Sequence, residues 1–223
     1  MPSLRLTKLE FASLLSYIPR EGGGDLGDQS RDMMRILKDG HLIGSPPVPL
    51  SDLMVSVIKS GVPEVAYIAS MLSPAAVLVP VPKSSLFKEG SLWVPDQIAI
   101  SFVRSDLGGR SAHLLARTRA IPKAATSVSS GRPRPTALDH LQTLSVQTEL
   151  RFPLEIVLVD DVVTTGSTLL GCANKLLESY PSIPIRGFAA MRAVSNPLDF
   201  KHTLDPTIGT ITLRSDGRCH RQP

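Results

Sequence analysis

Two adjacent carboxylates stand beside a run of hydroxyl-bearing residues in the segment 156–170, which has the sequence IVLVDDVVTTGSTLL. Asp160 and Asp161 follow an apolar run that predicts a buried strand. Neighbouring carboxylates at the end of such a strand are costly unless polar or cationic groups meet them, and the hydroxyls of a ribose would do so. Asp160 and Asp161 are therefore candidates for binding a sugar.

The hydroxyl-rich loop that follows offers a different kind of recognition. It consists of Thr164, Thr165, Gly166, Ser167 and Thr168. The apolar pattern after it predicts a helix, and the free backbone N–H groups at a helix N-terminus bind phosphate. Gly166 permits close approach of the backbone to a ligand. Diol recognition followed directly by phosphate recognition predicts a site for a ribose 5-phosphate.

A second polar loop follows an earlier apolar segment. Residues 75–81 (AAVLVPV) predict a buried strand, and Lys83 and Ser84 come just after it. In open α/β sheets, the loops at the carboxyl ends of the strands form the ligand crevice, so both residues are expected near the acidic pair. The alternative is a proline-bounded surface turn with a solvated lysine.

Residues 122–140 lack a periodic pattern and contain no acidic residue before Asp139. A long insertion of this kind between strands is typical of a functional lid or of a flexible loop. Its basic side chains would be attracted to a bound anion, whereas a merely solvated loop is the alternative. The candidate lid residues are Lys123, Arg132, Arg134 and His140. His140 could act there as an acid or base, and an ordinary surface histidine is the favoured alternative.

The remaining segments predict alternating helices and strands. Helices are predicted at 6–18, 30–38, 51–60, 95–103 and 168–180, and strands at 75–81, 113–121, 154–159, 185–193 and 208–213. The alternation predicts an α/β fold with a mainly parallel β-sheet flanked by helices. Residues 1–74 are expected to form an N-terminal helical hood and residues 75–223 the α/β core, within one structural unit. The glycine-rich stretch 21–28 is predicted to be a linker.

The segment 157–168 (VLVDDVVTTGST) resembles the phosphoribosyl diphosphate signature of type I phosphoribosyltransferases. The stretch 80–84 (PVPKS) looks like the pyrophosphate-binding loop of that family, and 122–140 lies where the family has its catalytic lid. The motif is closer to ComF-like and orotate-type members than to hypoxanthine-guanine enzymes, which have an aspartate directly before the T-G. The family resemblance also implies a parallel sheet flanked by helices.

This resemblance implies an enzyme of nucleotide metabolism that transfers ribose 5-phosphate from phosphoribosyl diphosphate to an unidentified, nucleobase-like acceptor and releases pyrophosphate. Asp160 and Asp161 would hold the sugar and, through the ribose or water, the Mg²⁺ cofactor. Lys123 would join them in catalysis, and Lys83 would help to neutralise the leaving pyrophosphate. The alternative is a non-catalytic sensor of phosphoribosyl diphosphate, or an effector module that contacts nucleic acid or a protein partner.

Composition gives only general constraints on the ligand, on metal binding and on the cellular location. The net charge of +4 and the pI near 9.3 suit a phosphorylated metabolite or a nucleic acid, although 4% aromatic residues leave few stacking platforms for single strands. Cys172 and Cys219 form no C-x-x-C pair, so the zinc ribbon of many ComF-like proteins is not expected. Without an apparent secretory or membrane-spanning segment, we predict a cytoplasmic protein with no membrane association, for which a homodimer is an open option.

Overall fold

The computed structural model describes residues 4–19, 23–122 and 133–223. The fold is α/β, with a seven-stranded, mostly parallel sheet between two layers of helices. The strands are β1 (Lys8–Tyr17), β2 (Leu42–Ile43), β3 (Val48–Pro49), β4 (Ala76–Pro80), β5 (Arg110–Ser111), β6 (Leu115–Arg117), β7 (Leu144–Val146), β8 (Glu155–Val163), β9 (Ile185–Ala193), β10 (Leu204–Leu213) and β11 (Cys219–Gln222). The helices are α1 (Gly24–Asp39), α2 (Leu50–Ile58), α3 (Ala66–Met71), α4 (Val94–Arg104), α5 (Ala137–Gln142) and α6 (Ser167–Leu176), with short 3-10 turns at Pro63–Val65 and Pro197–Asp199.

The main sheet has the strand order β11-β10-β1-β9-β8-β4-β5. The five strands from β1 to β5 in that order are parallel, whereas β10 runs antiparallel to β1 and β11 antiparallel to β10. Strand β8, which contains the acidic pair, therefore lies inside the sheet between β9 and β4. The α/β class and the mainly parallel sheet predicted from the sequence are confirmed.

The predicted helix at residues 6–18 is wrong, because this segment forms β1 in the middle of the sheet. From Phe11 to Tyr17 every residue is buried. A strand that is covered on both faces has a nearly continuous apolar sequence, which fits helical spacing as well as strand spacing. A purely helical N-terminal hood is therefore incorrect for the described residues, and the sheet includes residues from both sides of position 74.

Other predicted elements need smaller corrections. The glycine-rich segment is not simply a linker, since α1 begins at Gly24. The strand expected at 113–121 is reduced to β6, which pairs with β7 in a separate two-stranded sheet. The strand expected at the edge, 208–213, is the longer and interior β10, and β11 lies outside it. The stretch 122–140, which has no periodic pattern, includes the start of α5. A capping box between Thr136 and Asp139 stabilises the N-terminus of this helix.

Two hydrophobic cores lie on opposite faces of the sheet. One packs α1 to α4 against residues such as Val157 and Val159, and the other packs α5 and α6 against Ile156 and Leu158.

No single helix in the described ranges is long and apolar enough to cross a membrane. The segments Leu50–Ile58 and Pro63–Met71 meet that requirement only when taken together, and they are bent by 110°.

Candidate functional site

The acidic pair lies at the carboxyl end of the parallel strands. Strand β8 continues to Val163, so Asp160 and Asp161 lie within its second half and not beyond its end as the sequence suggested. Successive residues of a strand point to opposite faces of the sheet. Accordingly, Asp160 lines a cleft at the start of α6, whereas Asp161 contacts α1. At this edge of the sheet, the two carboxylates therefore point towards different helical layers.

Asp160 is the more buried member of the pair, with 8% of its surface exposed. Its Oδ1 accepts a hydrogen bond of 2.9 Å from the backbone N–H of Asp161. Burial, followed by the charge of Asp161, raises the pKa of Asp160 well above its usual value, although Lys38 opposes the shift. A ligand hydroxyl that donates to this carboxylate would relieve part of its desolvation cost.

Asp161 forms a long-range ion pair. Its Oδ2 lies 3.0 Å from Nζ of Lys38 in the last turn of α1, and its Oδ1 accepts a 2.7 Å hydrogen bond from the N–H of Val162. Burial lowers the pKa of Lys38, but the charge of Asp161 raises it, and the net shift is upward. Lys38 therefore stays charged at neutral pH and anchors the side chain of Asp161 to the end of α1.

The loop after β8 leads directly into α6. Gly166 caps this helix in the left-handed conformation, with φ of 85°, and a Cβ atom on it would lie 2.4 Å from Cγ1 of Ile211. Only glycine fits both requirements. The hydroxyls of Thr165 and Ser167 lie 3.1 Å apart within the loop. The loop thus presents hydroxyl groups and the first N–H groups of a ten-residue helix.

Arg221 of β11 connects this loop to the sheet through hydrogen bonds. Its Nε donates a 2.7 Å hydrogen bond to the carbonyl of Thr164, and its Nη2 donates to the carbonyl of Ala193. Burial, together with the nearby charge of Arg192, lowers the pKa of Arg221 to about 10. The guanidinium remains charged at neutral pH and lies behind the loop, where it adds to the positive potential at the start of α6.

A cleft of about 30 Å³ opens between this loop and the segment before α5. Its lining consists of Arg134, Pro135, His140, Asp160, Val162, Val163, Thr164, Thr165, Gly166, Ser167, Thr168 and Leu169. The volume corresponds to very few water molecules. A larger cavity of about 550 Å³ lies between α1, α2 and α4, and none of the predicted site residues lines it.

His140 lines the cleft from α5 and is 7% exposed. Its Nε2 lies 3.4 Å from Oγ1 of Thr168, and its buried Nδ1 has no hydrogen-bond partner in the described structure. Burial, followed by the charge of Arg117, lowers the pKa of His140 to about 4. The side chain is therefore a neutral imidazole at physiological pH and not a surface histidine.

The loop after β4 lies beside the acidic pair, since Pro80 pairs with Val159 of β8. Its lysine does not enter the cleft: the ammonium of Lys83 donates to Oγ of Ser91 at 3.0 Å. The carbonyl of Lys83 accepts a 3.1 Å hydrogen bond from Arg117, and the carbonyl of Ser84 accepts one of 2.8 Å from Ile121. The expected placement at the same sheet edge holds, but the backbone of this loop is already anchored by other contacts.

The structure thus brings together most of the predicted site. Asp160, the loop 164–168, Arg134 and His140 line one cleft, and Asp161 adjoins it on the other face. Lys123 and Arg132 lie outside the described residues. Sequence reasoning missed Lys38, because a lysine near the end of an amphipathic helix resembles any solvated lysine. It also missed Arg221, since the tail pattern gave no indication of β11.

A scan against protein-family models gives no match to this chain, and a search among curated proteins gives none either. Within the described residues there is also no group of three or more His, Cys, Asp or Glu side chains that could hold a metal ion by themselves.

Proposed function

We propose that the chain is a phosphoribosyltransferase of the type I kind, which binds Mg–phosphoribosyl diphosphate and transfers ribose 5-phosphate to a nucleobase-like acceptor. The observation that supports this most strongly is the continuity of Asp160 with the glycine-capped start of α6 in one cleft. Carboxylates for a diol and helix N–H groups for a phosphate are adjacent there. The parallel strands whose loops meet at this edge also suit the family fold.

In this assignment the 5′-phosphate binds the N–H and hydroxyl groups of the loop 164–168. The ribose hydroxyls donate to Asp160 and Asp161. Lys83 and Ser84 would face the diphosphate once the ammonium of Lys83 leaves its contact with Ser91. Oxygen atoms are the ligands that Mg²⁺ prefers, and Asp160 and Asp161 would hold the ion indirectly, through the ribose or water. Bound Mg²⁺ would supply charge neutralisation for the diphosphate.

The transfer itself makes one bond and breaks one. A lone pair of the acceptor nitrogen forms the bond to C1 of the ribose, the bond from C1 to the diphosphate oxygen breaks, and pyrophosphate leaves with that electron pair. A proton on the acceptor nitrogen, where there is one, passes to water. Positive charge develops at C1, so negative charge on the acidic pair near the sugar would favour the transition state electrostatically.

The small cleft indicates that the ligand binds with a rearrangement. A volume of about 30 Å³ is too small for a sugar phosphate. Arg134 and Pro135 line it on the side opposite the loop, and Arg134 is exposed. We infer that this segment moves outward on binding and then covers the ligand, which excludes water from the reacting centre.

The catalytic assignment is tested by pyrophosphate release in the presence of phosphoribosyl diphosphate, Mg²⁺ and a panel of nucleobases. Asp160→Asn combined with Asp161→Asn is expected to lower release by about a hundredfold or more, because the ribose hydroxyls lose their charged acceptors and the site loses its negative charge. The matched control is Asp28→Asn with Asp32→Asn, two exposed positions on α1 that change the net charge equally. Unchanged release in the active-site variant would refute catalysis at this site.

The contact between Lys83 and Ser91 favours a second candidate function, a sensor that binds phosphoribosyl diphosphate without turnover. In such a protein the cation would not need to reach a leaving pyrophosphate. Saturable binding with no pyrophosphate release for any acceptor would support the sensor. Co-purification of nucleic acid that is lost as salt rises would support an effector module that contacts nucleic acid.

A further inference from the structure

Two arginines near the carboxyl edge of the sheet are largely buried without a carboxylate partner. Arg117, the last residue of β6, is 9% exposed. Arg221 belongs to β11, and its Nη1 atom is buried with no hydrogen-bond partner in the described structure. Neither arginine forms an ion pair within the described ranges. Burying a charge without a counter-charge is costly, and groups of this kind concentrate at functional sites.

Arg117 lies behind the loop that follows β4. Its Nε donates a 3.1 Å hydrogen bond to the carbonyl of Lys83, and its Nη2 donates one of 3.4 Å to the carbonyl of Pro82. Its Nη1 donates a 2.6 Å hydrogen bond to Oγ1 of Thr143, at the end of α5. A single guanidinium therefore holds two consecutive carbonyls of this loop and connects them to α5.

The carbonyls that Arg117 holds determine where the neighbouring N–H groups point. In a trans peptide group, the C=O and N–H bonds point in opposite directions. The peptide bonds that follow Pro82 and Lys83 are trans. The N–H groups of Lys83 and Ser84 therefore point away from Arg117, and neither donates a hydrogen bond within the described ranges. The loop thus presents two consecutive free N–H groups, although the ammonium of Lys83 contacts Ser91.

Arg221 has the same relation to the loop 164–168. Its Nε donates a 2.7 Å hydrogen bond to the carbonyl of Thr164, and the peptide bond that follows Thr164 is also trans. The N–H group of Thr165 therefore points away from Arg221, and it has no acceptor in the described structure. An arginine behind the loop and a free N–H group in front of it thus occur at both loops.

The two arginines act on separate loops. Arg117 comes from the small sheet of β6 and β7, whereas Arg221 comes from β11, at one edge of the main sheet. Arg117 makes no hydrogen bond to the loop 164–168, and Arg221 makes none to the loop after β4. A change in one arginine should therefore leave the other loop in place.

We propose that Arg117 and Arg221 are positioning residues for two separate anion sites. Arg117 orients the loop after β4 for the diphosphate, and Arg221 orients the loop 164–168 for the 5′-phosphate. These roles rest on the proposed function, since the two anions are the two ends of phosphoribosyl diphosphate. Each guanidinium acts through the carbonyls that it holds, and its charge adds to the attraction for the anion. The planar fork of an arginine fixes several acceptors in one geometry, which an ammonium does not.

The test measures the two ends of the donor separately, by isothermal titration calorimetry with pyrophosphate and with ribose 5-phosphate, each in the presence of Mg²⁺. Arg117→Met is expected to weaken the binding of pyrophosphate about tenfold or more and to leave that of ribose 5-phosphate within about twofold. Arg221→Met is expected to do the reverse. A general loss of structure would weaken both ligands, so this crossover distinguishes positioning from a merely structural role.

The lysine variants separate geometry from charge. Arg117→Lys and Arg221→Lys keep the cation but lose the fork, so each is expected to retain a loss of about threefold or more for the same ligand as its methionine variant. They also show the crossover if a methionine variant does not fold. The matched control is Arg186→Met, which removes the same charge from an ion pair with Glu155 at the opposite edge of the sheet. It should leave both affinities unchanged, and thermal unfolding of every variant checks the fold.

The outcomes for the two arginines and for the proposed function are distinct. If the wild-type protein binds both ligands but the variants weaken neither or both of them, the positioning roles are overturned and the proposed function stands. Full recovery of affinity in the lysine variants would likewise overturn positioning, since charge alone would then be sufficient. Failure of the wild-type protein to bind either ligand at saturating concentration would refute the positioning roles and the proposed function together.

Discussion

Gly166 is the residue on which the proposed phosphate loop depends most directly. It combines a left-handed backbone with a contact that leaves no room for a side chain, because Ile211 of β10 packs against it. This conformation orients the first N–H groups of α6 towards the proposed phosphate position. Asp160 and Asp161 depend on their surroundings in a different way, since each keeps its position through a backbone hydrogen bond and Asp161 also through Lys38.

Replacing Gly166 with alanine should damage both stability and ligand binding. We expect a loss of about 2–4 kcal/mol in the free energy of unfolding, from left-handed strain plus the clash with Ile211. Gly217→Ala is the matched control, because Gly217 also has a positive φ, of 78°, but a Cβ there meets nothing within 4 Å. Urea denaturation measures both, and equal losses in the two variants would show that the Ile211 contact is unimportant.

His140 should make the stability of the protein depend on pH, because burial lowers its pKa to about 4. The unfolded chain binds a proton at this residue once the pH falls below about 6.5, whereas the folded chain does so only near 4. The free energy of unfolding should therefore decrease as the pH falls from 6.5 to 4, by about 3 kcal/mol from this group, and then level off.

His140→Gln should remove that component of the pH dependence, as measured by urea denaturation at several pH values. His41→Gln serves as the control, because the His41 side chain is 68% exposed. A variant that keeps the full wild-type slope between pH 6.5 and 4 would show that His140 is not the buried neutral group described here.

At the scale of elements, the site consists of the ends of four strands and two helices. Parallel strands β4, β8, β9 and β1 bring their carboxyl ends to one edge, α6 begins there, and α1 ends there. The short helix α5 packs closely on α6, where a Cβ on Gly171 would lie 2.5 Å from Cβ of His140. This packing fixes His140 against the start of α6.

The sequence was informative where local chemistry decides the structure. The apolar run before Asp160 and the glycine of the TTGST loop predict a strand, a turn and a helix without tertiary information. The helix predicted at 6–18 was wrong for a physical reason. A strand that is buried on both faces lacks the alternation of apolar and polar residues that distinguishes a strand from a helix. Lys38 could not be assigned to the site, because only the docking of α1 brings it to Asp161.

At the scale of the whole molecule, β1 makes the first and last parts of the chain interdependent. It lies between β9 and β10, so its removal would expose two strand edges and split the sheet. The buried apolar surface lost with it is large compared with the 5–15 kcal/mol that stabilise a typical domain. The predicted core, residues 75–223, should therefore not fold without the N-terminal segment.

A truncated chain consisting of residues 75–223 should lack a cooperative thermal transition by circular dichroism and should give poorly dispersed amide signals by nuclear magnetic resonance. The chain 1–223 is the control and should show a cooperative transition. A cooperative transition in the 75–223 chain would show that β1 is dispensable and that the boundary at residue 74 separates two independent units.

The most direct test of the proposed donor site is a crystal structure of the protein with phosphoribosyl diphosphate and Mg²⁺ at saturating concentration. We predict that the 5′-phosphate lies on the N–H groups at the start of α6 and that the ribose hydroxyls donate to Asp160 and Asp161. The segment at Arg134 should be displaced from its present position beside the loop. A ligand bound elsewhere, or no bound ligand at saturation, would contradict the assignment of this site.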